Sequence, residues 1–338
     1  MPLGSCTRFP TDHFLDDIVP LSMVSERAEP SGPLVNRRAI GKSCVMHFAG
    51  SRLLAALTGL WGPRILWVAV GLAGAWSIGD ALDGRSAAVR TTVTIGGWLV
   101  WGIGVVALVV PSALGLTVMR MVAALACGAA IVSWFGGAGP SPGACFLACT
   151  VICGLLVGGA DFGQSCVQGS AYGDEKRFLL RAPAAFLLPV AIAGVVWTGV
   201  VVAAPLLLAS NRWIPGMAVA IVAGFSTWLL LPRFAALTRR WLVFVPAGIV
   251  VHDQVVLGET MMVSRPEIVG IDLALANTEA ADLTGPAAGH AVEISMRSMA
   301  TVLLAPTKAS PRGTALHVQA FIVAPTRPGM VLRAARRE

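Results

Sequence analysis

Three cysteines recur at every fourth residue in the middle of the chain, namely Cys145, Cys149 and Cys153. Residues four apart lie on one face of an α-helix, so the spacing predicts a row of thiols along a single helix. Such a row can bind a soft metal ion or take part in redox chemistry. Cysteine also serves as a small apolar residue where helices pack closely, and Gly154 and Gly158 form a GxxxG pattern in the same segment. We therefore favour the packing interpretation and keep thiol chemistry as an alternative.

Arg120 and Asp161 are the ionisable residues that lie closest to the apolar centre of the chain. An ionisable residue inside a bilayer is costly and suggests an ion or proton path. Both residues lie at the ends of predicted helices, however, where an arginine side chain reaches the membrane interface and a carboxylate reaches water. We therefore interpret them as boundary residues, with an ion path as the alternative.

The histidines do not form the pattern of a metal site, because they lie outside the apolar region without cysteines or carboxylates at ligand spacing. They are His13, His47, His252, His290 and His317. The sequence also has no CxxC pair, no Walker loop, no HExxH and no GxGxxG pattern, and we expect no GxSxG nucleophile elbow. It therefore predicts no metal, no cofactor and no catalytic residue.

The composition is that of a membrane protein. The chain is 56% hydrophobic and 13% charged, with a mean hydropathy of +0.75, whereas soluble domains average about 25% charged residues. Its basic residues are spread along the loops and form no stripe, so the net charge of +7 indicates membrane orientation and no nucleic-acid partner. Arginine greatly outnumbers lysine, which is typical of a high-GC bacterial genome.

Apolar runs of membrane-spanning length follow one another between residues 60 and 231. The run at 186–209 has no ionisable residue, and about 20 such residues cross the roughly 30 Å core of a bilayer. We predict six spanning helices, at 60–79, 91–112, 121–135 with its flanks, 144–160, 186–209 and 213–231. An interfacial helix at 52–64 precedes them, and residues 1–51 are predicted to form a disordered cytoplasmic tail.

Loop charges predict the orientation of these helices. With the N-terminus inside the cell, twelve basic residues face the cytoplasm and three face outward, which is the bias expected of cytoplasmic loops. The inside set is Arg37, Arg38, Lys42, Arg52, Arg64, Arg120, Lys176, Arg177, Arg181, Arg233, Arg239 and Arg240, and the outside set is Arg85, Arg90 and Arg212. We therefore expect a multi-pass protein of a bacterial plasma membrane with both termini in the cytoplasm.

The pattern changes after Arg240 from helical runs to short alternating ones. Residues 241–245 and 249–253 around a Pro-Ala-Gly turn predict a β-hairpin. Further strands are predicted at 259–263, 268–273, 290–297, 301–305 and 316–323, followed by a short helix at 328–337. The sequence thus predicts a six-helix transmembrane domain (52–240) followed by a small cytoplasmic all-β barrel or sandwich with a C-terminal helix (241–338).

The order of these strands resembles the bacterial pleckstrin-homology-like domains that are fused to transmembrane helices. The hairpin LVFVPAGIVVHD at 242–253, the segment VSRPEIVGIDL at 263–273 and the C-terminal helix carry the resemblance. It implies a binding or assembly module without an active site. No compact basic cluster at the hairpin matches a lipid-headgroup pocket, so that pocket is not carried over.

Three functions follow from these patterns. The first is a non-enzymatic membrane anchor or scaffold, in which residues 241–338 bind a partner protein or the membrane surface. The second is a small transporter or channel built from the six helices, although the predicted helices at 91–112, 186–209 and 213–231 carry no charge to line a path. The third is a membrane enzyme that uses the three thiols.

Overall fold

The computed structural model describes residues 59–306, 310–311 and 313–337. The predicted tail at 1–51 and the first part of the predicted interfacial helix lie outside the described residues. The helices of the described part are α1 (Trp61–Ala81), α2 (Ala87–Val109), α3 (Ala113–Phe135), α4 (Pro140–Gly158), α5 (Ala160–Gln168), α6 (Ala184–Ala209), α7 (Trp213–Thr238) and α8 (Pro328–Ala335).

Five of these helices, α2, α3, α4, α6 and α7, are long and apolar enough to cross a membrane. This confirms the prediction of a membrane-embedded helical region in its coarse form. Helix α1 has 21 residues, about 32 Å at 1.5 Å per residue, but it contains Arg64 and Asp80 and does not reach the apolarity of the other five. The sixth span therefore stays a prediction.

Side-chain hydrogen bonds show which helix ends lie together. At one end of the bundle, Arg85, which follows α1, donates to the carbonyl of Gly136 after α3 at 2.8 Å. Asp80 near the end of α1 accepts a hydrogen bond from the main-chain N–H of Gly139 just before α4. The loops after α1 and α3 therefore meet at this end.

At the other end, Arg64 near the start of α1 donates through Nε and Nη2 to the carbonyl of Leu108 in the last turn of α2, at 3.2 and 3.0 Å. A cation at a helix C-terminus is favoured by the helix dipole. Thr117 in α3 shares a hydrogen bond with Thr238, the last residue of α7. A strand begins at Arg240, two residues after Thr238, so we call this end of the bundle the sheet end.

Two tryptophans join α1 to α2 through reciprocal hydrogen bonds. The indole N–H of Trp67 donates to the carbonyl of Trp101 at 2.9 Å, and that of Trp101 donates to the carbonyl of Trp67 at 3.0 Å. A Cβ atom at Gly71 or Gly104 would lie 2.4 Å from an atom of the facing indole. Glycine is needed at both positions because the rings occupy the space that a side chain would take.

The strands form two four-stranded sheets, with orders β1-β2-β3-β4 and β5-β7-β8-β6. Their bounds are β1 (Lys176–Leu179), β2 (Arg240–Val245), β3 (Gly248–Asp253), β4 (Met261–Ser264), β5 (Ile268–Leu273), β6 (Ala281–Asp282), β7 (Val292–Leu304) and β8 (Thr314–Val323). The pairing is antiparallel except between β6 and β8, which are parallel.

One hydrophobic core joins the two sheets and α8. Phe178, Phe244, Ile294, Phe321 and Val331 are all buried in it, and Phe178 meets Phe244 edge to face at 5.2 Å. Strands with alternating apolar residues bury one face, and these faces meet in the shared core. The predicted closure into a barrel or sandwich stays a prediction.

The predicted β-hairpin is confirmed, with Val245 opposite Gly248 at its turn. Gly248 has φ of 152°, and a Cβ there would lie 2.1 Å from the carbonyl oxygen of Val263, so only glycine fits. The strands predicted separately at 290–297 and 301–305 form one strand, β7, with an irregular stretch between Ser295 and Ala300. Strands β1 and β6 were not predicted.

Candidate functional site at the junction of helices and sheets

The helices and the sheets are joined without a flexible linker. Arg239 alone separates the end of α7 from the start of β2. Strand β1 lies between α5 and α6 in the chain and pairs antiparallel with β2, with Leu179 opposite Trp241. The first sheet therefore contains a strand from within the helical half, and two separate connections hold it against the sheet end of the bundle.

A buried ion pair between β2 and β3 lies next to this junction. Arg240 and Asp253 each expose 1% of the side chain, and Arg240 Nη2 lies 2.7 Å from Asp253 Oδ2. The guanidinium also donates to the carbonyls of Arg181 and Thr284. The sequence analysis counted Arg240 as a cytoplasmic loop charge, but its charge is neutralised inside the protein and does not report membrane orientation. Burying a cation is costly unless it is paired and hydrogen-bonded, and this one is both.

Asp161 takes part in a second tie across the junction. It lies in the first turn of α5 and forms an ion pair with Arg327, which directly precedes α8. Both side chains are partly exposed, so the pair adds little stability. Among the described residues, no hydrogen bond or ion pair joins Asp161 to Arg120. The structure therefore does not bring these two predicted site residues together.

A cavity of about 430 Å³ lies at this junction. Its polar wall includes Arg120 from α3, Arg181 from the segment before α6, and Thr326 from the segment before α8. Its apolar wall includes Phe186 and Leu187 from the first turn of α6. The remaining lining residues are Gly158, Ala160, Leu179, Leu180, Ala182, Val190, Leu237 and Ala288, and none of the described lining residues is acidic.

A second cavity of about 200 Å³ adjoins the first between α3, α6 and α7. The two share Arg120, Val190 and Leu237 in their walls. Gly194 and Trp197 continue the wall of the smaller cavity along α6. Apart from Arg120 this cavity is lined by apolar side chains and by two threonines of the helix ends, so the pair of cavities is polar at the sheet end and apolar toward the membrane.

Arg120 is the charged group that both cavities share. Its Nε donates to the carbonyl of Val157 at 3.4 Å, near the C-terminus of α4. No carboxylate of the described residues lies within ion-pair distance of it. The partly buried guanidinium therefore faces the cavities without an anionic partner from this part of the chain, which is costly unless another group compensates it.

Arg181 is held in place by the chain around it. Its Nη1 donates to the carbonyls of Ala288 and His290, both at 3.0 Å, and its main-chain N–H donates to the carbonyl of Ala324 at 2.8 Å. Thr326 is equally fixed, because its main-chain N–H donates to the carbonyl of Leu179 at 2.8 Å. Its buried Oγ1, however, has no hydrogen-bond partner among the described residues.

The three cysteines of α4 do not converge on a site. Cys145 is exposed, Cys149 is half-buried and Cys153 is buried in the helical core. Cys145 and Cys153 are eight residues apart, about 12 Å along a helix, which is too far for ligands of one ion at about 2.3 Å each. No group of three histidine, cysteine or carboxylate residues in the described part of the chain could hold a metal ion.

The packing interpretation of this segment holds for two of the cysteines and not for the two glycines. Cys153 is buried in the helical core, and the half-buried Cys149 packs against it. A Cβ atom at Gly154 or Gly158 would meet no atom within 4 Å, so the GxxxG pattern does not bring another of the described helices close. The pattern alone does not say which face of α4 meets its neighbours, because both faces are apolar.

A second buried thiol among the described residues, Cys166, lies in α5 beside Arg120. Burial raises the pKa of Cys166 to about 12, although the nearby guanidinium groups of Arg120 and Arg64 act in the opposite direction. The thiol is therefore protonated at neutral pH and is a poor nucleophile or metal ligand.

The segment Gly139–Gly143 has the spacing of a G-x-S-x-G nucleophile elbow, although none was expected from the sequence. An elbow needs a strand before its serine and a helix after it. Here Ser141 lies in the first turn of α4, and the preceding element is the helix α3. The segment therefore works as a helix start with Pro140 at its first position.

The junction thus offers two fixed arginines, a buried hydroxyl without a partner and an apolar extension toward the membrane. Sequence reasoning singled out Arg120 but had no signal for Arg181 and Thr326, which reach the site through the pairing of strands. Compared with known proteins, this chain matches no family model, no curated protein and no solved structure.

Proposed function

We propose that this protein is an integral membrane scaffold that holds its β-rich part in one orientation at the membrane surface, where that part binds a partner protein. The observation that carries the proposal is the rigid junction. A binding module on a flexible tether would need a linker, but the chain passes from α7 to β2 through Arg239 alone.

Three contacts support a fixed orientation. They are the hydrogen bond from the buried Arg240 to the carbonyl of Arg181 before α6, the ion pair of Asp161 and Arg327, and the strand β1 that enters the first sheet from between two helices. Domains without such ties move relative to one another by default. We take the two sheets and α8 as a closed β-domain similar to pleckstrin-homology-like modules, and α1 as the sixth span.

The charges favour a cytoplasmic β-domain. The sheet end and the segment between α5 and α6 carry Arg64, Arg120, Lys176, Arg177, Arg181, Arg233 and Arg239, whereas the opposite end carries Arg85, Arg90 and Arg212. Removing the buried Arg240 from this comparison leaves the bias in place. By the positive-inside rule the sheet end faces the cytoplasm.

Crosslinking in native membranes tests the scaffold. A photoreactive amino acid is placed in the full-length protein at Leu275 or Met299, whose side chains are 77% and 71% exposed on the β-rich part. The matched control is Ile214 at the opposite end of the bundle, which is 88% exposed. We expect the same crosslinked protein from Leu275 or Met299 and not from Ile214.

A second variant tests whether orientation matters. A short Gly-Ser insertion after Arg239 frees the β-rich part from α7, and it is expected to abolish that crosslink while the sheets still resist proteolysis. The scaffold proposal fails if neither position captures a protein above the Ile214 level. Substrate-dependent flux in proteoliposomes would instead favour the transporter alternative.

A further inference from the structure

The walls of the two adjoining cavities combine positive charge with apolar surface. Arg120 and Arg181 both line the larger cavity, and no described residue of either lining is acidic. A guanidinium prefers a planar bidentate anion such as phosphate or carboxylate. The charge of Arg120 has no carboxylate partner among the described residues, so an anion in the cavity would supply the compensation that the chain does not.

Two further features of the larger cavity favour a phosphate group. The first turn of α6 lines it through Phe186 and Leu187, and α6 begins after Pro183 without a side-chain cap. The main-chain N–H groups of Ala184 and Phe186 donate to the carbonyls of Pro286 and Pro183, so it is the dipole of α6 that favours an anion here. Thr326 also lines the cavity, and its buried Oγ1 has no hydrogen-bond partner in the described part of the chain.

The smaller cavity indicates which kind of group would extend from a phosphate bound in the larger one. From Arg120 it follows α6 past Gly194 to Trp197, in the direction of the membrane interior. A Cβ atom at Gly194 would meet nothing within 4 Å, so the space beside this residue is open. An apolar space that continues from a cationic one fits a molecule with an anionic head and a hydrocarbon tail.

We propose that the paired cavities bind an anionic phospholipid, with its phosphate between Arg120 and Arg181 and the start of an acyl chain beside Gly194. This site would anchor a lipid at the contact between α6 and the β-rich part. It goes beyond the scaffold function, because it assigns a small-molecule ligand to the junction and stands whether or not a partner protein exists.

Native mass spectrometry of the full-length protein in detergent tests the site. Phosphatidylglycerol, phosphatidylcholine and inorganic phosphate are titrated separately into the wild type, Arg120→Gln and Arg233→Gln. Arg233 is the matched control, because it is an exposed arginine of α7 at the same end of the bundle and lines neither cavity. We expect Arg120→Gln to weaken phosphatidylglycerol binding about tenfold or more and Arg233→Gln to change it less than about twofold.

A second variant separates the head from the tail and does not depend on the folding of Arg120→Gln. Gly194→Leu fills the apolar space, so it is expected to weaken phosphatidylglycerol binding while leaving the response to inorganic phosphate unchanged. Equal losses in the Arg120 and Arg233 variants would reduce the effect to surface charge and overturn the proposal. Phosphatidylcholine that binds as tightly as phosphatidylglycerol, or inorganic phosphate that binds while phosphatidylglycerol does not, would also overturn it.

Discussion

The buried ion pair of Arg240 and Asp253, next to the junction, gives the sharpest test of what stabilises the β-rich part. Asp253 accepts hydrogen bonds from Arg240 Nε at 2.9 Å, from Arg240 Nη2 at 2.7 Å, and from the main-chain N–H groups of Val255 and Val256 at 3.0 and 3.2 Å. Asp253→Ala removes the acceptor of all of them and leaves a cation that is 1% exposed without its counterion.

The expected cost of Asp253→Ala follows from this geometry. Removing one partner of a buried ion pair costs about 3–5 kcal/mol, because the remaining charge is neither solvated nor paired. Domains are stable by only about 5–15 kcal/mol. The substitution should therefore lower the free energy of unfolding of the β-rich part by a large fraction. It should not directly affect the packing of the helices.

Urea titration of the full-length protein in detergent, followed by pulse proteolysis of the β-rich part, measures this free energy. The control is Asp272→Ala, since Asp272 is an exposed carboxylate on β5. We expect the control to change stability by less than about 0.5 kcal/mol. Equal effects of the two substitutions would refute the reasoning.

A double variant tests the cause of the loss. Replacing both partners, as Arg240→Met with Asp253→Leu, removes the uncompensated charge and should restore most of the stability. The recovery is expected to be incomplete, because the carbonyls of Arg181 and Thr284 lose the donors that Arg240 supplies. A double variant as unstable as Asp253→Ala would show that the buried charge is not the source of the cost.

Three further predictions concern other parts of the molecule. Gly104→Ala should lower the free energy of unfolding of the helices in detergent by about 1–3 kcal/mol, because its Cβ would lie 2.4 Å from an atom of Trp67. Gly102→Ala should not, because its Cβ meets nothing within 4 Å. Equal effects of the two substitutions would contradict this packing. Burial lowers the pKa of His252 from its usual 6.5, with Asp253 opposing this shift and Arg239 and Arg177 adding to it. The unfolded chain therefore binds the proton more readily than the folded one. The contribution of His252 to stability should be full above pH 6.5 and be lost as the pH falls below it. Stability measured between pH 5 and 7.5 should show this slope in the wild type and a smaller one in His252→Asn; an unchanged slope would contradict the assignment. In a variant that keeps Cys166 as its one cysteine, maleimide at pH 8 should label the denatured protein and not the native one, because a pKa of about 12 leaves about one thiol in ten thousand ionised.

Local patterns predicted helices and strands well wherever a long apolar run or an alternation of apolar residues marks the element. The run 186–209 predicted α6 to within two residues of its start, Ala184, and the strand 268–273 has the observed bounds. The same patterns missed β1, because its sequence KRFL begins with two charged residues and follows a polar connection. A four-residue strand becomes visible only when its partner β2 is known.

The candidate site was predictable in part. The position of Arg120 among apolar residues marked it as unusual, and it lines both cavities. Arg181 looked like an ordinary loop cation, and Thr326 had no signal at all. Both reach the cavity because an isolated β-bridge outside the named strands pairs Leu180 with Pro325, two residues far apart in the chain.

The sequence by itself determined that the first part of the chain contains helices long and apolar enough to cross a membrane and that strands and a helix follow them. The length of each apolar run and the free energy of transferring its side chains from water to lipid decide those properties, and both can be read from consecutive residues. Only the tertiary structure decided that Arg240 is buried, that Gly154 and Gly158 face away from the other helices, and that Arg120, Arg181 and Thr326 share one cavity. These properties depend on which distant segments meet, and the hydropathy of a segment does not specify its neighbours.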